Sequence, residues 1–115
     1  GIIMELSSKT EDQVRIVTVK DTRIDAAVAI EFKDAMRAAT DDGPDLVVLD
    51  LAAVGFIDSS GLGAIVAAMK HLAPQRKLAL AGLTPPVDKV FRLTRMDSVF
   101  SLYPTLDDAP SALAT

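Results

Sequence analysis

Leu46-Val47-Val48-Leu49 has no polar residue on either face of an extended strand, and this constrains the fold more than any other stretch of the chain. Side chains alternate between the two faces of a sheet, so a strand apolar throughout must be covered on both. It belongs in the middle of a sheet, under helices on each side or under one helix layer and other packing. Lys77-Leu78-Ala79-Leu80-Ala81-Gly82 reads as a second buried strand. The stretches before them carry helical spacing. Ala29, Phe32, Met36 and Ala39 share one face of a helix predicted over about Ala26 to Thr40, with Asp25 as its expected N-cap. Leu62, Ile65, Val66, Met69 and Leu72 form the stripe of a second helix, about Ser60 to Ala73, closed by Pro74.

The remaining elements follow from β-branched runs and turn chemistry. Val14 to Val19 (VRIVTV) reads as a strand, with a short one over Met4 to Leu6 before it. Asp41-Asp42-Gly43-Pro44 stops the first helix. Thr84-Pro85-Pro86 starts a third, with Thr84 able to cap it and Val87, Val90, Phe91 and Thr94 lining it. Val99 to Tyr103 is the last predicted strand. Thr105-Leu106-Asp107-Asp108 resembles a capping box opening a terminal helix that Pro110 keeps short. The order β-β-α-β-α-β-α-β-α predicts an α/β fold, a mixed sheet of four to five strands packed with about four helices. Its 115 residues suit one domain over residues 1–115.

Composition narrows the chemistry. Without cysteine there is no disulfide, thiolate metal site or thiol nucleophile. One histidine and scattered carboxylates offer no metal-ligand spacing, so no metal and no cofactor are expected. A formal net charge of −4 repels phosphate backbones, and no basic stripe is present, so direct nucleic-acid binding is not expected. Gly61 to Met69, the longest nearly apolar run, is far short of the roughly 20 residues of a membrane span. No signal peptide is visible, and a cytoplasmic location is expected.

Asp58-Ser59-Ser60-Gly61-Leu62-Gly63 sits between a buried strand and an amphipathic helix, where open α/β sheets present ligands. The first helical turn has unpaired N–H groups and about half a positive charge, so a phosphate on Ser59 or Ser60 is tolerated there. Asp58 competes for the same donors and repels that phosphate, which favours an exposed phosphoserine. By spacing alone, D-S-S-G reads first as an ordinary helix cap, since such residues precede so many helices.

In its setting the segment is more specific. Leu49 to Gly63 (LDLAAVGFIDSSGLG) resembles the signature of bacterial anti-sigma factor antagonists of the STAS family: an apolar strand, "DLS-x-V-x-F", then "[IM]DSSGLG". Thr22-Arg23-Ile24-Asp25 stands where that family usually has "G-x-[LI]-D", and Leu93-Thr94-Arg95-Met96-Asp97 through Leu102-Tyr103-Pro104 resembles its ending. The resemblance implies a STAS fold and a partner-switching cycle. The unmodified protein would bind an anti-sigma factor, itself a serine kinase of the histidine-kinase-like ATPase type, and release a sigma factor. Phosphorylation on Ser59 would end binding, and a PP2C-type phosphatase would restore it. ATP and Mg²⁺ would belong to the kinase. The expected partner surface comprises Arg23, Ile24, Asp25, Asp58, Ser59, Ser60, Gly61, Leu62 and Gly63, with the exposed side of the second helix. Thr22 and Arg95 depart from the family, which commonly has glycine at both positions.

Other readings fare less well. A nucleophile elbow needs G-x-S-x-G, and Ile57 or Asp58 occupies the first glycine position. His71 lies on the same helix as Ser60, roughly 16 Å away at about 1.5 Å per residue, too far to serve as its base. No catalytic residue is assigned. Gly61-Leu62-Gly63 lacks the Lys-Ser/Thr pair of a phosphate loop. Asp41-Asp42 reads as a solvated turn, and the acidic pair and lysine of a receiver domain cannot be placed. The alternative within the same fold is a non-switching STAS scaffold subunit of a stressosome-like or lipid-transport assembly.

Overall fold

The computed structural model describes residues 4–109. In chain order the elements are β1 (Leu6–Glu11), β2 (Val14–Val19), β3 (Arg23–Ile24), α1 (Ala29–Ala39), β4 (Leu46–Asp50), β5 (Phe56–Ile57), α2 (Ser59–Leu72), β6 (Lys77–Ala81), α3 (Pro85–Leu93) and β7 (Leu102–Tyr103). Five strands form one mixed sheet in the order β1-β2-β4-β6-β7, as expected from the helical crossovers. β1 and β2 are antiparallel, and every other neighbouring pair is parallel.

The hairpin turns through Asp12 and Gln13, whose φ angles of 50° and 64° suit a two-residue turn that follows the twist of its strands. The first strand is longer than Met4 to Leu6 and lies further on. Its sequence, LSSKTE, hides it: as an edge strand it buries almost nothing, so apolar alternation is absent.

β4 sits at the centre of the sheet, as its uninterrupted apolar run requires. Val47 and Leu49 face the main core with Val17, Val19, Leu78 and Leu80, under Phe32 and Met36 of α1, Ile65 and Leu72 of α2, and Val87 and Phe91 of α3. Val48 faces the other way, with Val14, Ile16, Ala79 and Ala81, beneath Tyr103, Leu106 and Ala109. The cover is thus one helix layer and, on the back, the closing segment of the described chain. That cover is thin, and the strands match it with two alanines.

The described residues contain three α-helices, not four. Thr105 does cap a turn, accepting a 3.3 Å hydrogen bond from the Asp108 N–H, but the turn is the single 3₁₀ segment Leu106–Asp108. Pro110 lies outside the described residues. The last strand is Leu102–Tyr103, shorter than Val99 to Tyr103, because Met96–Ser98 form a 3₁₀ turn that delivers Phe100 edge-on against Phe91, ring centres 5.8 Å apart. Thr84 holds the N-cap position of α3, but its side chain makes no capping bond; its hydroxyl donates to the Val54 carbonyl at 2.7 Å, and Pro85 fills the first turn where no donor is needed. Two arginines anchor the end of α1: Arg15 donates to the Ala39 carbonyl at 2.6 Å, and Arg76 to those of Thr40 and Pro44. Among the described residues no helix is long and apolar enough to cross a membrane.

Candidate functional site

Two strands too short to recognise in the sequence build the site. β3 and β5 pair in parallel, Arg23 opposite Phe56 and Ile24 opposite Ile57, as a separate two-stranded sheet. Its inward side chains, Ile24 and Ile57, are buried in the main core, and its outward ones, Arg23 and Phe56, are exposed. The Gly55 N–H donates to the Thr22 carbonyl at 2.9 Å, extending the pairing backwards. This places Thr22-Arg23-Ile24-Asp25 beside the start of α2, so the two distant segments expected to share a surface do meet.

Asp58 joins them. Its backbone is extended, and it is the N-cap of α2, which begins at Ser59. One carboxylate oxygen accepts the Gly61 N–H at 2.9 Å; the other accepts the Ala26 N–H at 3.1 Å. The bond from Gly61, more than that from Ala26, holds the Asp58 carboxyl below its usual pKa against the opposing pull of desolvation. Asp58 therefore stays ionised and already occupies a donor at the helix N-terminus.

Asp25 has a different job from the expected one. It does not cap α1, which starts at Ala29 after Val28 and has no side-chain cap. Its carboxylate instead accepts the Ala27 N–H at 3.1 Å and pairs with Arg23 Nε at 3.1 Å. A run of helix-compatible residues hid this turn. The Ala26 N–H donates to Asp58, which ties this turn to the start of α2.

Gly61 is required by close approach. A Cβ there would lie 1.9 Å from the Ile24 carbonyl oxygen, so only glycine lets α2 start against β3. Gly63 faces open space, and Leu62 is half-buried against the core. Ser59 and Ser60, the first two residues of α2, are both exposed.

Sequence reasoning missed Phe56 as a surface residue. The residue is 40 % exposed, and the Arg23 guanidinium carbon stands 4.1 Å above the centre of its ring. The signal was available: in a strand ending on buried Ile57, the preceding residue must point outwards. Among the described residues no group of three or more His, Cys, Asp or Glu could hold a metal ion. His71 is exposed near the end of α2, remote from the serines in sequence. Of the two departures from the expected motif, Arg95 has φ 60° and ψ 23°, left-handed backbone that favours glycine. Thr22 is not among the described non-glycine residues with positive φ, so glycine is not needed there.

Comparisons with known proteins agree with this fold. The anti-sigma-B factor antagonist of Listeria monocytogenes is 28 % identical over 103 residues, covering 89 % of each chain. The crystal structure of an anti-sigma factor antagonist from Mycobacterium paratuberculosis is 32 % identical, with a TM-score of 0.81 over 91 % of this chain and 89 % of that one. The Bacillus cell fate determinant SpoIIAA in its phosphorylated form shares the fold, with a TM-score of 0.61 at 16 % identity over 85 % of this chain and 90 % of that one. The STAS domain family matches residues 5–109, and with the sheet order, the helix layer and the Asp58-capped serine turn in place, this chain belongs to that family.

Proposed function

We propose that this protein is an anti-sigma factor antagonist working as a phosphorylation-controlled partner switch, with Ser59 as the acceptor. The observation that carries the reading is the pairing of an exposed Ser59 at the first position of α2 with an ionised Asp58 already bonded to the Gly61 N–H. A phosphoryl group on Ser59 adds about −1.5 to −2 charges. With Asp58 in the cap, the Gly61 N–H is already taken and a second negative charge beside it is repelled, which favours a phosphate held at the surface. In a desolvated contact such a charge is costly, and like charges brought together across an interface cost several kcal/mol. Arg23, Ile24, Asp25, Asp58, Ser59, Ser60, Gly61, Leu62 and Gly63 form the partner surface, with Ile24 and Gly61 acting as its buried supports.

The relatives named anti-sigma factor antagonists support the partner class, an anti-sigma factor. The kinase of the histidine-kinase-like ATPase type, the PP2C-type phosphatase and a cytoplasmic setting belong to the same proposal. In it, the chain is a substrate and a binder, not an enzyme.

The test combines occupancy and affinity. Phosphopeptide mass spectrometry of the protein from growing and stressed cells should find phosphate on Ser59 with condition-dependent occupancy. Ser59→Asp should weaken binding to the anti-sigma factor at least tenfold, about 1.4 kcal/mol or more, while Ser59→Ala should bind persistently and resist phosphorylation. Equal affinity of wild type and Ser59→Asp, with no phosphate under any condition, refutes the switch and leaves a scaffold subunit.

A further inference from the structure

The Arg23–Phe56 stack lies within the proposed surface, but neither the cap nor the fold explains it. In residues 22–25 and 56–63 Arg23 is the only cationic side chain, and Asp25 and Asp58 are the acidic ones. Its side chain is 58 % exposed, held by the Asp25 carboxylate at 3.1 Å and the Phe56 ring at 4.1 Å. The Asp25 side chain is only 20 % exposed and is also fixed by the Ala27 N–H. The arginine is therefore the movable member of the group. Exposed ion pairs hold weakly, so its guanidinium can be redirected at small cost.

Its direction is set by the register. Bonded to Asp25 two residues on and stacked on Phe56 across the pair, the guanidinium lies on the outward side of the small sheet, beside the end where β5 runs into α2. Ser59 is two residues beyond Ile57, the partner of Ile24, and parallel strands lie about 4.8 Å apart with about 3.3 Å per residue. Arg23 and Ser59 thus occupy one end of one small sheet, within reach of an arginine and a phosphoserine extended towards each other. A phosphate dianion offers three acceptor oxygens and binds a guanidinium through two parallel bonds, which outcompetes a singly charged carboxylate.

We propose that Arg23 is the internal counter-ion of a phosphoryl group on Ser59, leaving Phe56 and Asp25 to bind it. This rests on the reading of Ser59 as the acceptor. Phosphorylation would then change the surface at three places: a new phosphate, a bared Phe56 ring and an Asp25 without its cation. A partner fitted to the stacked arginine loses that contact as well as meeting the new charge.

The experiment uses the full chain with phosphoserine installed at position 59 by an expanded genetic code. The phosphate's second ionisation, ordinarily near pH 6, is followed by phosphorus NMR. A neighbouring cation favours the dianion and lowers the midpoint, while Asp25 and Asp58 raise it in every variant alike. Arg23→Gln should therefore raise the midpoint by roughly 0.15–0.7 unit, the size expected of an exposed ion pair. Arg23→Lys should recover part of the shift. The Arg23 Nε–H resonance should also move on phosphorylation of the otherwise wild-type chain. Coincident midpoints in variants that retain the wild-type circular dichroism, or an unmoved Arg23 resonance, overturn the proposal. The titration needs no partner, so a shifted midpoint with undiminished anti-sigma binding would uphold the counter-ion and reject the switch.

Discussion

Replacing Gly61 and Gly63 by alanine, two positions apart in one helix, should have opposite effects. Both residues lie in the first turns of α2. At Gly63 an added Cβ meets nothing within 4 Å, so alanine should stabilise by about 0.5–1 kcal/mol through helix propensity alone. At Gly61 the Cβ would stand 1.9 Å from the Ile24 carbonyl oxygen, 2.7 Å from its carbon and 3.0 Å from Ile57 Cγ1. Restoring ordinary contact moves the Ile24 oxygen by about 1.5 Å. That oxygen is backbone in a strand paired with β5, and it accepts the Asp58 N–H at 3.4 Å, so rotating a side chain gives no relief. Overpacking costs about 1–3 kcal/mol where side chains can adjust, and more where they cannot. Against a propensity gain near 1 kcal/mol, Gly61→Ala should still lose about 2 kcal/mol. Urea unfolding followed by circular dichroism reads both variants. Equal midpoints for Gly61→Ala and Gly63→Ala would refute the claim that the close approach of β3 dictates glycine at position 61.

Two further effects follow from the same geometry. Arg95→Gly should raise stability by about 0.5–1 kcal/mol, since a left-handed non-glycine residue costs about 1–2 kcal/mol and glycine's looser unfolded chain returns only part of that; a lowered urea midpoint would contradict it. Asp58 titrates below its usual range in the folded chain, so its contribution is complete above its unfolded pKa of about 3.9 and is lost as pH falls through the lower folded value. The stability difference between wild type and Asp58→Asn should accordingly be constant near neutrality and shrink below pH 4, and a difference that grew on acidification would show the sign to be wrong.

The sequence showed most clearly those elements whose burial is patterned. Val47, Val48 and Leu49 announced a central strand, and Phe32, Met36, Ile65 and Leu72 announced the helix layer, because each side chain's environment repeats along its own element. β1 was blurred because an edge strand has no buried face to reveal. β3 and β5 were invisible for another reason. Each has only two residues, and what makes them strands is their pairing across the fold, a contact no local window contains. The candidate site inherited both qualities. The serine turn was legible as a capped helix start, whereas the turn at Asp25 was read as a helix because its neighbours have helical propensity. In the structure the Asp25 side chain bonds the Ala27 N–H, the Ala26 N–H bonds Asp58, and α1 begins only at Ala29.

In the proposed switch, the bond from the Ala26 N–H to Asp58 would let the site change its charge without changing its fold. Asp58 ties two segments together with its two oxygens, one to the turn after β3 and one to the first turn of α2. Beneath it, Ile24 and Ile57 are buried in the same core as the helices. A phosphoryl group arriving at Ser59 finds the N-terminal donor that Asp58 holds already taken, and it finds a scaffold fixed from below. In the proposed switch, its charge would be met largely above the surface, by water, by Arg23 or by a partner. A site that buried its phosphate would spend the added charge on rearranging itself. One that keeps it outside spends it on the interface, which is what release of a bound protein requires.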